Sequence, residues 1–133
     1  MALAQKGRRQ RGLQIYKRMG WDTNQDLKDL DQEFWTLTTD FVFGEVWSRP
    51  GLSLRERELV VLAVLISLGT EGMDLHLRYA HKLGITNDQI KELIFQVMYY
   101  VGQPRGLFAM KRLKAVMAEG KEQRKPRRSK RQA

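Results

Sequence analysis

One apolar helix with clear signals at both ends constrains this fold more than any other segment. Ser53 stands three residues before Glu56, the spacing of a capping box, and the apolar run 54–68 that follows is ended by Gly69. Before it, the turn at 49–51 contains Pro50, which fixes its own φ and stops the preceding helix. Because residues 54–68 are apolar on nearly every side, we expect this helix to be central and buried.

The rest of the chain has helical rather than strand periodicity. Residues 27–41 predict an amphipathic helix, whose apolar positions are Leu27, Leu30, Phe34, Leu37 and Phe41. Thr86 and Gln89 form a second capping box, and Pro104 suits the first turn of a last helix. The chain is therefore predicted to be all-α, with about six helices over 11–19, 27–41, 54–68, 73–83, 86–101 and 104–117.

The positive charge is concentrated at the two ends. The formal net charge is +9, but residues 1–12 carry four Lys or Arg and no acid, and residues 121–133 carry seven against Glu122. The remainder is nearly neutral, which does not indicate a folded domain with a basic nucleic-acid-binding face. We predict a basic N-terminal arm over 1–12, a helical domain over 13–118 and a basic disordered tail over 119–133.

The chain has no cysteine, which excludes several classes of function for it. Disulfides, thiolate metal sites, thiol nucleophiles and peroxidatic chemistry all require cysteine. The N-terminus has no apolar signal-like segment, and no run reaches the roughly 18 apolar residues of a membrane span. These features predict a cytoplasmic protein.

Four polar residues stand where a plain helical bundle does not need them. His76 lies on an apolar stripe, as either a hydrogen-bonded core residue or a catalyst. Arg57 lies on the stripe of Val60 and Val64, so its charge requires an anion, either Glu45 or a ligand carboxylate. Glu45 and Arg49 flank Trp47 where a helix meets a turn. His76 and His81 face different sides, which disfavours a metal site.

Several motifs occur together in an order typical of a known family. They are FVFGEVWSRPGL at 41–52, RELV at 57–60, LHLRYA at 75–80, GIT at 84–86 and YVGQP at 100–104. In sequence and spacing they resemble the carboxymuconolactone decarboxylase family, over roughly residues 15–118. The resemblance implies an alkylhydroperoxidase D-like orthogonal helical bundle that assembles as a homo-oligomer, in this branch a hexamer built as a trimer of dimers.

The resemblance also implies an activity. It is the cofactor-independent decarboxylation of 4-carboxymuconolactone, or a close lactone acid, to the 4-oxoadipate enol-lactone in aromatic catabolism. The peroxidase branch of the fold requires a Cys-x-x-Cys pair, which this chain lacks. Two alternatives stay open: a family member acting on another small acidic substrate, and a non-catalytic oligomer tethered to polyanions by its basic ends.

For the decarboxylase, the hypothesis assigns a role to each candidate residue. Arg49 and Arg57 bind carboxylates, His76 donates a proton or stabilises an oxyanion, and Glu45 orients or protonates one of these groups. The catalytic set is therefore His76, Glu45 and Arg57, the substrate-binding set is Arg49, Trp47, Tyr100 and Phe108, and no metal ligand is assigned. Phe108 replaces the asparagine of many family members, which leaves the identity of the substrate open.

Overall fold

The computed structural model describes residues 2–124 and contains helices without strands in that range, which confirms the all-α prediction. The α-helices are α1 (Ala2–Met19), α2 (Gln25–Leu30), α3 (Gln32–Leu37), α4 (Leu54–Leu68), α5 (Met73–Tyr79), α6 (Asn87–Val101) and α7 (Gln103–Gln123). A π-helix, Thr38–Val46, follows α3, and a 3₁₀ turn, Ala80–Leu83, follows α5.

The first helix is longer than the sequence pattern predicts, and it packs tightly on the π-helix. It begins at Ala2 rather than near residue 11, so the basic segment is part of α1. A Cβ built on Gly12 would lie 2.1 Å from the carbonyl oxygen of Thr39, and one on Gly44 would lie 2.2 Å from that of Arg8. Only glycine permits this close approach of two helix backbones. At the other end of the chain α7 continues to Gln123, and the rest of the predicted disordered tail, 125–133, lies outside the described residues.

The prediction of one amphipathic helix over 27–41 is wrong in two respects. Asp31 is extended and interrupts it, and its side chain accepts a 2.7 Å hydrogen bond from the Phe34 N–H to cap α3. The buried side chains are Trp35, Thr39 and Phe43, whereas four of the five predicted apolar positions are exposed: Leu30, Phe34, Leu37 and Phe41. The wide indole and phenyl rings fill the interior instead, which leaves the predicted apolar face on the surface.

Helix α4 separates two clusters of buried side chains. The larger cluster lies between α4, α5, α6 and α7, and the smaller one lies where α1 and the π-helix meet the start of α4. The buried face of α4 carries Leu54, Glu58, Leu62 and Ile66. The opposite face is exposed, with Val60, Val64 and Leu68 at 56%, 50% and 60%, so the expectation of a helix buried on all sides is wrong for the single chain.

The local signals for helix ends are confirmed. The capping boxes Ser53–Glu56 and Thr86–Gln89 are both closed by reciprocal hydrogen bonds. Gly69 ends α4 in the left-handed conformation, with φ of 67°. This helix end begins the short connection between α4 and α5.

Within residues 2–124, no helix combines the length and apolar character needed to cross a membrane.

Candidate active site

The centre of the candidate site is a pair formed by His76 on α5 and Glu58 on α4. The His76 Nδ1 lies 2.9 Å from both carboxylate oxygens of Glu58. The Glu58 side chain is 1% exposed and that of His76 is 13% exposed. A buried carboxylate requires a partner, and here the imidazole supplies it. Nδ1–H therefore points at Glu58, and Nε2, which makes no hydrogen bond to the described residues, is the nitrogen left for a ligand.

Aromatic side chains line one side of this pair. Trp21, directly after α1, packs edge to face on the His76 ring with centroids 5.0 Å apart. Phe43 of the π-helix lies 5.5 Å from Trp21, and Trp47 lies 5.2 Å from Phe43. All three aromatic residues are buried. Trp47, a predicted substrate-binding residue, is thus connected to His76 through two other rings, and the side of the imidazole that meets Trp21 is apolar.

Arg57 lies beside Glu58 at the start of α4 and holds the turn before the helix. Its Nη2 donates a 2.9 Å hydrogen bond to the carbonyl oxygen of Arg49. Its Nε is buried, and no described residue accepts a hydrogen bond from it. The side chain of Arg49 is exposed, so the structure links these two predicted residues through the Arg49 backbone. Nη2 of Arg57 fixes the turn, and Nε is left as a donor without an acceptor among the described residues.

Glu45 has different partners from those considered in the sequence analysis. Its carboxylate accepts hydrogen bonds of 3.0 Å from both Arg8 and Arg11 of α1. It therefore does not pair with Arg57, and that alternative for the buried guanidinium is wrong. Together with the neighbouring Arg9–Asp40 ion pair, which raises the pKa of Arg9 through its hydrogen bond, these contacts attach α1 to the π-helix.

Two predicted substrate-binding residues are not gathered at the pair in the single chain. Tyr100 is 76% exposed at the end of α6, against Tyr99, and Phe108 on α7 is 40% exposed. A groove of about 480 Å³ lies elsewhere, between the end of α5 and the end of α7. Its lining includes Arg78, Lys82 and Glu119 but not His76.

Helix α5, which carries His76, is held against α7 by an ion pair. Arg112 donates hydrogen bonds to Asp74, one of them at 2.9 Å from Nε. These hydrogen bonds hold the pKa of the Asp74 carboxyl below its usual range, so the ion pair stays formed at neutral pH. The second histidine, His81, is exposed and bonds the carbonyl oxygen of Arg78 through Nδ1. Among residues 2–124 no three His, Asp or Glu side chains group as a metal site would.

Comparison with known proteins agrees with the fold and its motifs. Residues 32–115 match the model of the Carboxymuconolactone decarboxylase family, which is more than half of the chain. The chain belongs to the carboxymuconolactone decarboxylase family. The resemblance stated from the motifs is thereby confirmed. Glu58 and His76 lie inside the matched region, whereas α1 and Trp21 precede it.

Two named proteins that are similar in sequence to this chain are decarboxylases. The chain is 44% identical over 87 residues to a 4-carboxymuconolactone decarboxylase of Acinetobacter baylyi, covering 65% of this chain and 65% of that protein. It is 35% identical over 77 residues to the nitrosuccinic acid decarboxylase npaB of Metarhizium robertsii, covering 56% and 52%. The chain thus spans just under two thirds of the first relative and about half of the second.

Sequence reasoning missed two residues of the site. Glu58 could have been found, because it lies four residues from both Leu54 and Leu62 and is the acid on the face that carries the buried leucines. Trp21 had no comparable signal, since its contact with His76 joins distant parts of the chain and α1 lies outside the region that the family model matches.

Proposed function

We propose that this protein is a cofactor-independent carboxy-lyase that converts 4-carboxymuconolactone, or a close lactone acid, to the 4-oxoadipate enol-lactone and CO₂. The observation that carries the proposal is the His76–Glu58 pair, which leaves Nε2 free next to the ring of Trp21. The relative named 4-carboxymuconolactone decarboxylase supports the substrate. The absence of cysteine from this chain excludes a cysteine-dependent peroxidase mechanism.

The substrate itself supplies the electron sink for this reaction. The departing carboxylate is on a ring carbon joined through the ring C=C to the lactone carbonyl. As the bond to CO₂ breaks, its electron pair moves into that carbonyl and forms a dienolate. A proton then adds to the ring carbon next to the carbonyl and gives the enol-lactone. The protein therefore has to hold two carboxylates, stabilise an oxyanion and deliver one proton.

The described residues fit these tasks with one change of role. Arg57, with Arg49 at the turn, binds the carboxylates, and His76 Nε2 delivers the proton or stabilises the oxyanion. The orienting role that was assigned to Glu45 belongs to Glu58, because Glu58 bonds Nδ1 of His76. Its carboxylate also offsets the positive charge of the imidazole when both ring nitrogens carry hydrogen. Glu45, bound by Arg8 and Arg11, acts by holding α1 in place.

We further propose that the active form is a homo-oligomer, with a hexamer as the expected state. The exposed apolar side chains of α4 and of the 30–41 segment support it, because a single chain rarely leaves such stripes in water. Tyr100 and Phe108 are exposed in the single chain, so we assign them to the pocket of a neighbouring subunit. A cytoplasmic location remains part of the proposal.

A second candidate substrate follows from the other relative. Nitrosuccinic acid carries two carboxyl groups and a nitro group, which takes up an electron pair as a nitronate when the adjacent carboxylate leaves. This is the same class of reaction, with two carboxylates to bind and one carbon to protonate. The relative named nitrosuccinic acid decarboxylase and Phe108, an apolar residue where many family members have an amide, favour keeping it as the alternative.

The test is to mix the purified protein with each acid in the presence of a chelator and follow CO₂ release. We expect turnover of 4-carboxymuconolactone that the chelator leaves unchanged and that His76→Gln lowers by about 10²-fold or more, with unchanged helical content by circular dichroism. Full activity of His76→Gln refutes the assignment of the proton donor. Turnover of nitrosuccinic acid alone moves the function to the second candidate, and turnover of neither refutes the proposed substrates.

A further inference from the structure

Trp21 carries a buried hydrogen-bond donor that nothing in the described chain satisfies. The residue is 9% exposed, and its Nε1 is closed to water without an acceptor among the described residues. Its ring lies 5.0 Å from that of His76. A buried indole N–H nearly always finds a partner, because an unmade hydrogen bond leaves the cost of desolvation unrecovered. The indole N–H of Trp21 is therefore a candidate donor to a ligand.

Trp35 is a second buried tryptophan, and its indole N–H is hydrogen-bonded within the chain. It is 4% exposed, and its Nε1 donates a 2.9 Å hydrogen bond to the carbonyl oxygen of Thr23. Both tryptophans are thus buried, but they differ in whether the N–H is bonded. The unbonded one is the one that touches His76.

A second unsatisfied donor belongs to the turn of α4 that borders the same cluster. Nε of Arg57 is buried without an acceptor among residues 2–124. Leu54 and Val61, about one helical turn before and after Arg57 on α4, both pack in the cluster that contains Trp21. One unbonded N–H donor in this apolar cluster and a second at its border suit an anionic oxygen ligand, since a charged acceptor makes the stronger hydrogen bonds.

We propose that the indole N–H of Trp21 binds a carboxylate oxygen of the substrate and, with Nε of Arg57, forms a carboxylate subsite beside His76. This inference rests on the proposed decarboxylase function for the identity of the acid. It does not follow from family membership, because Trp21 lies outside the matched region 32–115. The segment directly after α1 thus contributes a substrate-binding residue.

The test compares two Trp→Phe variants, each of which keeps an aromatic ring and removes one N–H. Trp21→Phe should lower the affinity for muconolactone, which keeps the lactone and one carboxylate, by about tenfold, because one charge-assisted hydrogen bond is lost. Its melting temperature should stay the same or rise, since an unsatisfied buried donor has been removed. Trp35→Phe should bind muconolactone like the wild type and melt a few degrees lower, because it loses a formed hydrogen bond.

Isothermal titration calorimetry measures the affinities, with succinate as a second acid, and differential scanning calorimetry measures the melting temperatures. Wild-type affinity in Trp21→Phe overturns the proposal, as does a wild-type protein that binds neither acid. A protein that binds muconolactone through Trp21 but releases no CO₂ from 4-carboxymuconolactone refutes the proposed reaction and keeps the subsite. The two failures are therefore distinguishable.

Discussion

At the scale of single residues, the site depends on which nitrogen of His76 is occupied. Glu58 bonds Nδ1 with both carboxylate oxygens and is itself 1% exposed, so the imidazole has one orientation and one free nitrogen. The position of Glu58 could be predicted from the sequence, because it is the acid on the buried face of α4. The contact of Trp21 with the same ring could not, because helical periodicity contains no information about which distant segments meet.

The Glu58→Gln variant should therefore show whether Glu58 orients His76 or binds the substrate. The amide keeps the volume but removes the charge that offsets an imidazolium, so we expect kcat to fall about a hundredfold while KM changes little, since Glu58 is buried behind His76. Steady-state kinetics on 4-carboxymuconolactone measure both constants. The matched control is Glu119→Gln, which loses a hydrogen-bonded partner of Arg78 away from His76 and should keep the wild-type kcat. A KM effect alone in Glu58→Gln would contradict the positioning role.

At the scale of helices, the ends were predictable and the buried faces only partly so. Capping boxes and left-handed glycines act within a few residues, so Ser53, Thr86 and Gly69 predicted their helix ends correctly. The face of residues 27–41 was predicted incorrectly, because the break at Asp31 and the π-helix after it turn Trp35 and Phe43 inward. Periodicity identifies an apolar face but does not tell whether that face meets its own chain or another copy.

The packing of α1 on the π-helix gives a prediction at this scale. Gly12→Ala places a Cβ 2.1 Å from the Thr39 carbonyl oxygen, so the two backbones must separate, and we expect a loss of roughly 2 kcal/mol or more in the free energy of unfolding. Gly7→Ala, on the same helix with ordinary 3.5 Å contact, should gain up to about 1 kcal/mol from helix propensity. Urea unfolding followed by circular dichroism measures both. Equal stability of the two variants would show that α1 does not pack closely there.

At the scale of the whole molecule, the relevant feature is the apolar surface that the single chain exposes. Its exposed apolar stripes and the surface positions of Tyr100 and Phe108 support assembly. The basic residues of α1 argue against the polyanion tether at this end of the chain, because Arg8, Arg9 and Arg11 are each paired with Glu45 or Asp40. Their charge serves the attachment of α1.

The stripe on α4 provides the test of assembly. Val64 is 50% exposed between Val60 and Leu68, and a lysine there introduces a charge that an apolar interface cannot solvate. We expect Val64→Lys to reduce the mass in solution, measured by analytical ultracentrifugation, and to lower CO₂ release in parallel, because Tyr100 and Phe108 no longer reach a neighbouring site. Gln14→Lys adds the same charge at an exposed polar position of α1 and should change neither. A Val64→Lys protein that keeps the wild-type mass would refute α4 as an interface. One that dissociates with full activity would show instead that each chain holds a complete site.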